Sequence, residues 1–230
     1  NSDADNSNNE SMDVVATTTQ ICDYAKEIAK DNVKLTCLLA PNASAHDHEM
    51  TPKQMNALSK AKLFMVNGVD LEHFLGSAVD ASGFKGTMVV TLPLAFAPEP
   101  GEQPEFEYDP HVWTSPKNAK VQVHNIGKAL EKADPDHKDA YIQNTKDYEK
   151  KLDELDKWVN DSIVSVPESQ RVLFTSHDAF GYFSRDYGVK FIGAALSDFN
   201  AQSDATAAHI KESAEEGKKS GAVALFAQNS

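Results

Sequence analysis

The first eleven residues carry a single apolar side chain, Ala4, so they have nothing to bury and read as a solvated tether, 1–11. An apolar pattern begins abruptly at Met12. The β-branched run MDVVATTT, 12–19, predicts a strand. Over 21–31, Ile21, Tyr24, Ala25 and Ile28 recur at helical spacing. VKLTCLLAP, 33–41, reads as a second, nearly continuous apolar strand. Apolar runs that do not alternate, separated by a helix, predict a parallel sheet covered on both faces. The alternation then repeats. Thr51-Pro52 supplies a cap followed by proline at the first helical position and opens a helix over 52–62. LFMVNG, 63–68, is a strand that stops at Asn67-Gly68, 71–82 is a helix, and TMVVTLP, 87–93, is a fourth strand.

The stretch 95–108 holds three prolines and four glutamates and reads as a loop. Ser115-Pro116 opens a capped helix through about Lys132, and Asp134-Pro135 opens another. In the latter, Tyr141, Thr145, Tyr148, Leu152, Leu155, Val159 and Ile163 step by three and four along one face. It ends near Val166-Pro167, because the residue before proline disfavours helix. Its length of about 45 Å exceeds the width of a small lobe, so it reads as a rigid connector. Beyond it the alternation restarts, with strands over 171–176, 189–196 and 221–228 and helices over 179–188 and 205–220. The pattern therefore predicts an α/β fold with a first lobe over 12–133, a linking helix over 134–166 and a second lobe over 167–230. That second lobe ends on a strand with no covering helix, so it is expected to be incomplete at Ser230.

Composition narrows the possible functions. Twenty-two basic against 35 acidic residues give a net charge of −13, which argues against a nucleic-acid or anionic-membrane partner. No apolar run approaches the roughly 18 residues of a membrane span. The start is not basic and then apolar, so any export signal is expected to have been removed. The two cysteines exclude a disulfide scaffold or a cysteine-rich zinc module. Cys22 follows the first strand and Cys37 ends the second, which places both on the same edge of a parallel unit. A bridge is feasible there, and an exported chain would favour it; two small buried thiols are the alternative.

Eight histidines carry the candidate chemistry. His46 lies in NASAHDHEMTP, His111 in EYDPHVWTSP and His177 in FTSHDAFGYF, each where a strand or loop feeds the start of a helix. In parallel α/β sheets ligands bind at that edge. Two of the three belong to the first lobe and one to the second, so they could converge across a cleft. Three imidazoles suit Zn²⁺. Asp109 and Asp178 stand close in sequence to His111 and His177, as carboxylates that fix a ligand's tautomer do. Spacing alone also allows solvated or helix-capping histidines. His48 reads as a neighbour of the site, and His73, His124, His137 and His209 read as helix-surface or core residues. Glu49, close to His46, keeps open a zinc hydrolase, although no G-x-S-x-G, phosphate loop or H-E-x-x-H is present.

These segments resemble a known family. AHDHEMTP is similar to the first ligand motif, D-P-H-x-Y-E-P-x-P, of the cluster A-I (cluster 9) substrate-binding proteins of zinc and manganese ABC importers. DPHVWTSP resembles the second motif, D-P-H-x-W-x-x-P, with Trp113 at its aromatic position. SHDAFGYF resembles the third, and KLFMVNGVDLEHFL resembles the signature N-G-x-x-L-E. The resemblance runs from Met12 to Ser230. It implies two Rossmann-like lobes joined by one long backbone helix, with a metal between them held by His46, His111 and His177. Asp109, Asp178, His48 and Trp113 would surround those ligands. The family's fourth ligand, an aspartate near the end of the second lobe, has no match here. Ala45 and Met50 replace the two prolines of the first motif.

Three nitrogen ligands favour Zn²⁺ over Mn²⁺, and manganese members usually carry glutamate where this chain has His177. The histidine-rich loop of many zinc members is absent from 95–108, which keeps Mn²⁺ open. The resemblance further implies a monomeric, non-enzymatic protein that passes its metal to an ABC permease. It would work in the periplasm or on the extracellular face of the cytoplasmic membrane, touching the membrane only through an N-terminal lipid. A metal-stabilised surface adhesin is a competing expectation. Because protonated imidazole does not ligate, affinity should fall below about pH 6.5.

Overall fold

The structure, a computed structural model, describes residues 10–44, 48–69, 71–72, 75–93, 109–175, 178–192, 207–222 and 225–226. Strand β1 (Met12–Ala16) leads into helix α1 (Thr19–Ala29), whose first turn is closed by the Thr18 hydroxyl accepting from Ile21 N–H. Strand β2 (Val33–Cys37), helix α2 (Pro52–Lys60), strand β3 (Leu63–Val66), helix α3 (Leu75–Ser82) and strand β4 (Thr87–Val90) follow. The four strands form one parallel sheet in the order β2-β1-β3-β4. Alternate residues of the two central strands feed two cores. Val14, Ala16, Leu63 and Met65 face α1 and the helices beyond it, while Val15, Phe64 and Val66 face α2 and α3. Cover on both faces holds for β1 and β3 and fails at the edges, where Lys34, Cys37, Met88 and Val90 are exposed. An edge strand has a neighbour on one side only.

Two of the three cap-and-proline signals fall where the structure starts a helix. Thr51 and Gln54 form a reciprocal capping box on α2, with Pro52 in the first turn. Ser115 caps α4 (Pro116–Ala133) by accepting from Asn118 N–H. The expectation at Asp134-Pro135 needs correction. Pro135–His137 form a separate 3-10 turn, and the long helix α5 spans Lys138–Val164. Asp134 is held at the end of α4 through its own N–H, and its carboxylate accepts from Tyr141 Oη at 2.6 Å and lies 2.7 Å from His137 Nδ1. It therefore closes one helix and braces the next without capping it.

At 27 residues α5 is about 40 Å long. Its stretch up to Leu152 packs on α1 and α4, burying Tyr141, Thr145 and Leu152, and Gly127 of α4 lies directly against Thr145. Farther along the predicted stripe, Val159 and Ile163 are only half-buried. Leu155 is 44% exposed and Trp158 67%, because α5 outruns the two shorter helices it packs on.

The second sheet is also parallel, with β6 (Lys190–Ile192), β5 (Val172–Thr175) and β7 (Leu225–Phe226) in that order, accompanied by α6 (Gly181–Tyr187) and α7 (Ala207–Ser220). Tyr187 Oη, at the end of α6, donates to Asp156 of α5 at 2.6 Å and ties this sheet to the long helix. Among the described residues no helix is long and apolar enough to cross a membrane. Cys22 and Cys37 are disulfide-bonded, with Cα atoms 5.8 Å apart, across the edge the sequence proposed.

Candidate metal centre

His111 lies in the Asp109-Pro110-His111 segment, just before a 3-10 turn, Val112–Thr114, and the cap of α4. It is 1% exposed. Asp109 Oδ1 accepts the His111 backbone N–H at 2.9 Å and lies 2.7 Å from its Nδ1. The carboxylate thus folds the segment into a tight local turn and fixes the ring in the same contact. A carboxylate at Nδ1 favours the tautomer with its proton there, in which Nε2 is the ring nitrogen whose lone pair could take a metal. Trp113 meets the imidazole edge to face at 5.4 Å between ring centres.

A buried polar network holds this segment from the first lobe. Asn67 Nδ2 donates to the Pro110 carbonyl at 3.1 Å, while Gln122 Nε2 donates to Asn67 Oδ1 at 3.2 Å and to Thr91 Oγ1 at 3.0 Å. Asn67 is fixed in turn by Glu72, whose Oε1 accepts from Asn67 N–H at 2.5 Å and from the Thr17 hydroxyl at 2.8 Å. Gly68 N–H donates to Glu72 Oε2 at 3.3 Å. Burial drives the Glu72 carboxyl above its ordinary range, against these donors. Gly68 has φ +90°, and a Cβ there would meet the Leu92 carbonyl oxygen at 2.5 Å, so the turn requires glycine on both counts.

From the other side α6 abuts the same segment. Tyr182 Oη donates to the Asp109 carbonyl at 2.7 Å, and the Ser115 hydroxyl that caps α4 also bonds Asp186. The Tyr182 ring is buried with Val69, Leu92 and Val112, with Trp113 and Val121 packed alongside.

Of the proposed ligands, His46 and His177 lie outside the described residues, so only His111 is placed. Asp178 is exposed, and Asp109 lies against His111 Nδ1. His48 is half-buried beside the capping box, its Nε2 3.0 Å from Gln54 Oε1, and Glu49 is exposed. Two of the histidines read as bystanders sit beside carboxylates: His124 by Glu149 at 2.9 Å and His137 by Asp134. Among the described residues no three His, Cys, Asp or Glu side chains stand close enough to share a metal ion. Asn67, Glu72, Gln122, Gly181 and Tyr182 had no assigned role from sequence, although N-G-x-x-L-E and A-F-G-Y-F contain four of them.

Comparison with known proteins agrees with this architecture. Residues 14–230 match the family model described as ZnuA, zinc-uptake complex component A, periplasmic. The manganese-binding lipoprotein MntA of Bacillus subtilis is 34% identical over 204 residues, covering 87% of this chain and 65% of that protein. The iron-binding protein YfeA of Yersinia pestis is 36% identical over 182 residues, 77% of this chain and 57% of that one. The periplasmic zinc binding protein TroA from Treponema pallidum superposes with a TM-score of 0.84 at 32% identity, covering 94% of this chain and 78% of that structure. The chain thus spans from just over half to about four-fifths of the length of these relatives. On the match over residues 14–230, it belongs to the ZnuA family.

Proposed function

We propose that this protein captures Zn²⁺ outside the cytoplasm and delivers it to an ABC importer permease, without enzymatic turnover. In this reading the ion is cargo, held by His46, His111 and His177 between lobes spanning 12–133 and 167–230, with 134–166 as the link. The protein works as a monomer in the periplasm or lipid-anchored on the extracellular face of the cytoplasmic membrane. The observation that carries the reading is His111, buried with its Nδ1 held by Asp109, as an imidazole prepared for metal would be. Nitrogen ligands favour Zn²⁺. A second reading, Mn²⁺ as cargo, draws on the likeness to the manganese-binding MntA.

Calorimetric titration of the metal-stripped protein with Zn²⁺ and Mn²⁺, beside His46→Ala, His111→Ala and His177→Ala, tests both readings. Tight Zn²⁺ binding lost in each variant is expected. Tighter Mn²⁺ than Zn²⁺ binding would favour the second reading, and equal binding by all four proteins would refute the site.

A further inference from the structure

Asp109 is held from two directions. Its Oδ1 is committed to His111. Two further contacts come from α6, beyond the long helix, with Tyr182 73 residues away in sequence. Tyr182 Oη donates to the Asp109 carbonyl at 2.7 Å, and Gly181 lies so close that a Cβ there would meet Asp109 Oδ2 at 2.6 Å. The Tyr182 ring fills an apolar seat in the first lobe with the Arg185 guanidinium 5.1 Å from its centre, so the ring fixes where the hydroxyl points. Burial, and then the Asp109 carboxylate, push the phenol well above its ordinary range, with Arg185 opposing. The hydroxyl is therefore a donor throughout the neutral range.

We propose that Tyr182 is a positioning residue for His111. By holding the Asp109 peptide it places the carboxylate that orients the imidazole, so the seating of α6 and the readiness of His111 to ligate are one event. This rests on the reading of His111 as a metal ligand. It extends that reading to release: when α6 lifts from its seat, the Asp109 peptide loses its donor, the carboxylate is freed to turn and the ring loses its alignment. Affinity then falls without any change in the ligands themselves.

The test uses the whole 230-residue chain, stripped of metal and titrated with Zn²⁺ alone against a competing chelator. Tyr182→Phe keeps the ring in its seat and deletes only the donor. It should lower affinity about 10-fold, mainly through faster dissociation, and move the side-chain nitrogen resonances of His111 in the metal-free protein. Gly181→Ala keeps the phenol and displaces Asp109 Oδ2, and should act in the same direction. It serves as the test if Tyr182→Phe does not fold. His111→Ala separates the two claims. If it binds like wild type, the ligand reading fails. If it loses binding while Tyr182→Phe and Gly181→Ala do not, the positioning role alone fails. Weaker binding with His111 resonances unchanged would also overturn that role, since general destabilisation would suffice to explain it.

Discussion

One carboxylate oxygen, Asp109 Oδ1, receives both the main chain and the ring of His111. Asp109→Asn keeps an acceptor but removes the charge that favours a protonated Nδ1. It should weaken Zn²⁺ binding about 10-fold in a chelator competition, and wild-type affinity would show that the charge is irrelevant. At Gly68 the demand is steric. Gly68→Ala places a Cβ against the Leu92 carbonyl oxygen at a positive φ, and should cost about 1–3 kcal/mol in denaturant unfolding. An unchanged midpoint would mean the turn relaxes. At this scale the sequence exposed His111 and Asp109, because they are two residues apart and sit in a motif. It could not expose Tyr182 or Gln122, whose partners lie 73 and up to 55 residues away. Such contacts depend on how sheets and helices assemble, and no local spacing encodes them.

Among the elements, helix starts were legible because Thr51-Pro52 and Ser115-Pro116 state a cap and a first-turn residue side by side. Asp134-Pro135 has the same form, yet it closes α4 and begins a 3-10 turn, since a carboxylate already serving Tyr141 and His137 is not free to cap. The face of α5 was legible as a stripe, but where burial stops depends on the lengths of α1 and α4. Two substitutions measure that boundary. Leu152→Ala should destabilise by about 2–4 kcal/mol and Trp158→Gln by less than about 0.5, and similar losses would show that both halves of α5 are packed. The disulfide joins β2 to the start of α1 across 15 residues. Replacing Cys22 and Cys37 by serine should remove about 3 kcal/mol, read as a lower thermal midpoint, whereas an equal midpoint would mean the cross-link costs the unfolded chain no entropy.

For the whole molecule, the five phenols among the described residues bear on the alkaline limit. Tyr24, Tyr141, Tyr148, Tyr182 and Tyr187 are all raised above their ordinary 10.0, by burial first in every case, with nearby carboxylates adding to the effect. Tyr148 reaches about 12. An unfolded phenol ionises near its ordinary value while the folded one stays protonated. The stability these groups contribute is therefore complete below pH 10 and lost as pH rises through the folded values. Thermal midpoints followed upward from neutrality should start to fall near pH 10, and a flat profile beyond that point would contradict the burial of the phenols. Two of the five, Tyr182 and Tyr187, join α6 to the first lobe and the long helix, so alkali should also loosen that junction.

The protein has two tryptophans, one exposed and one half-buried. Trp158 stands in solvent on the emergent half of α5, while Trp113 lies edge to face with His111. The chain therefore carries its own optical reporter. Replacing Trp158 with phenylalanine leaves one emitter beside the candidate ligand, and the quenching of indole by a neighbouring imidazole depends on what that imidazole is doing. Cargo arrival and departure would then be visible as a change in intrinsic emission, in real time and without a label.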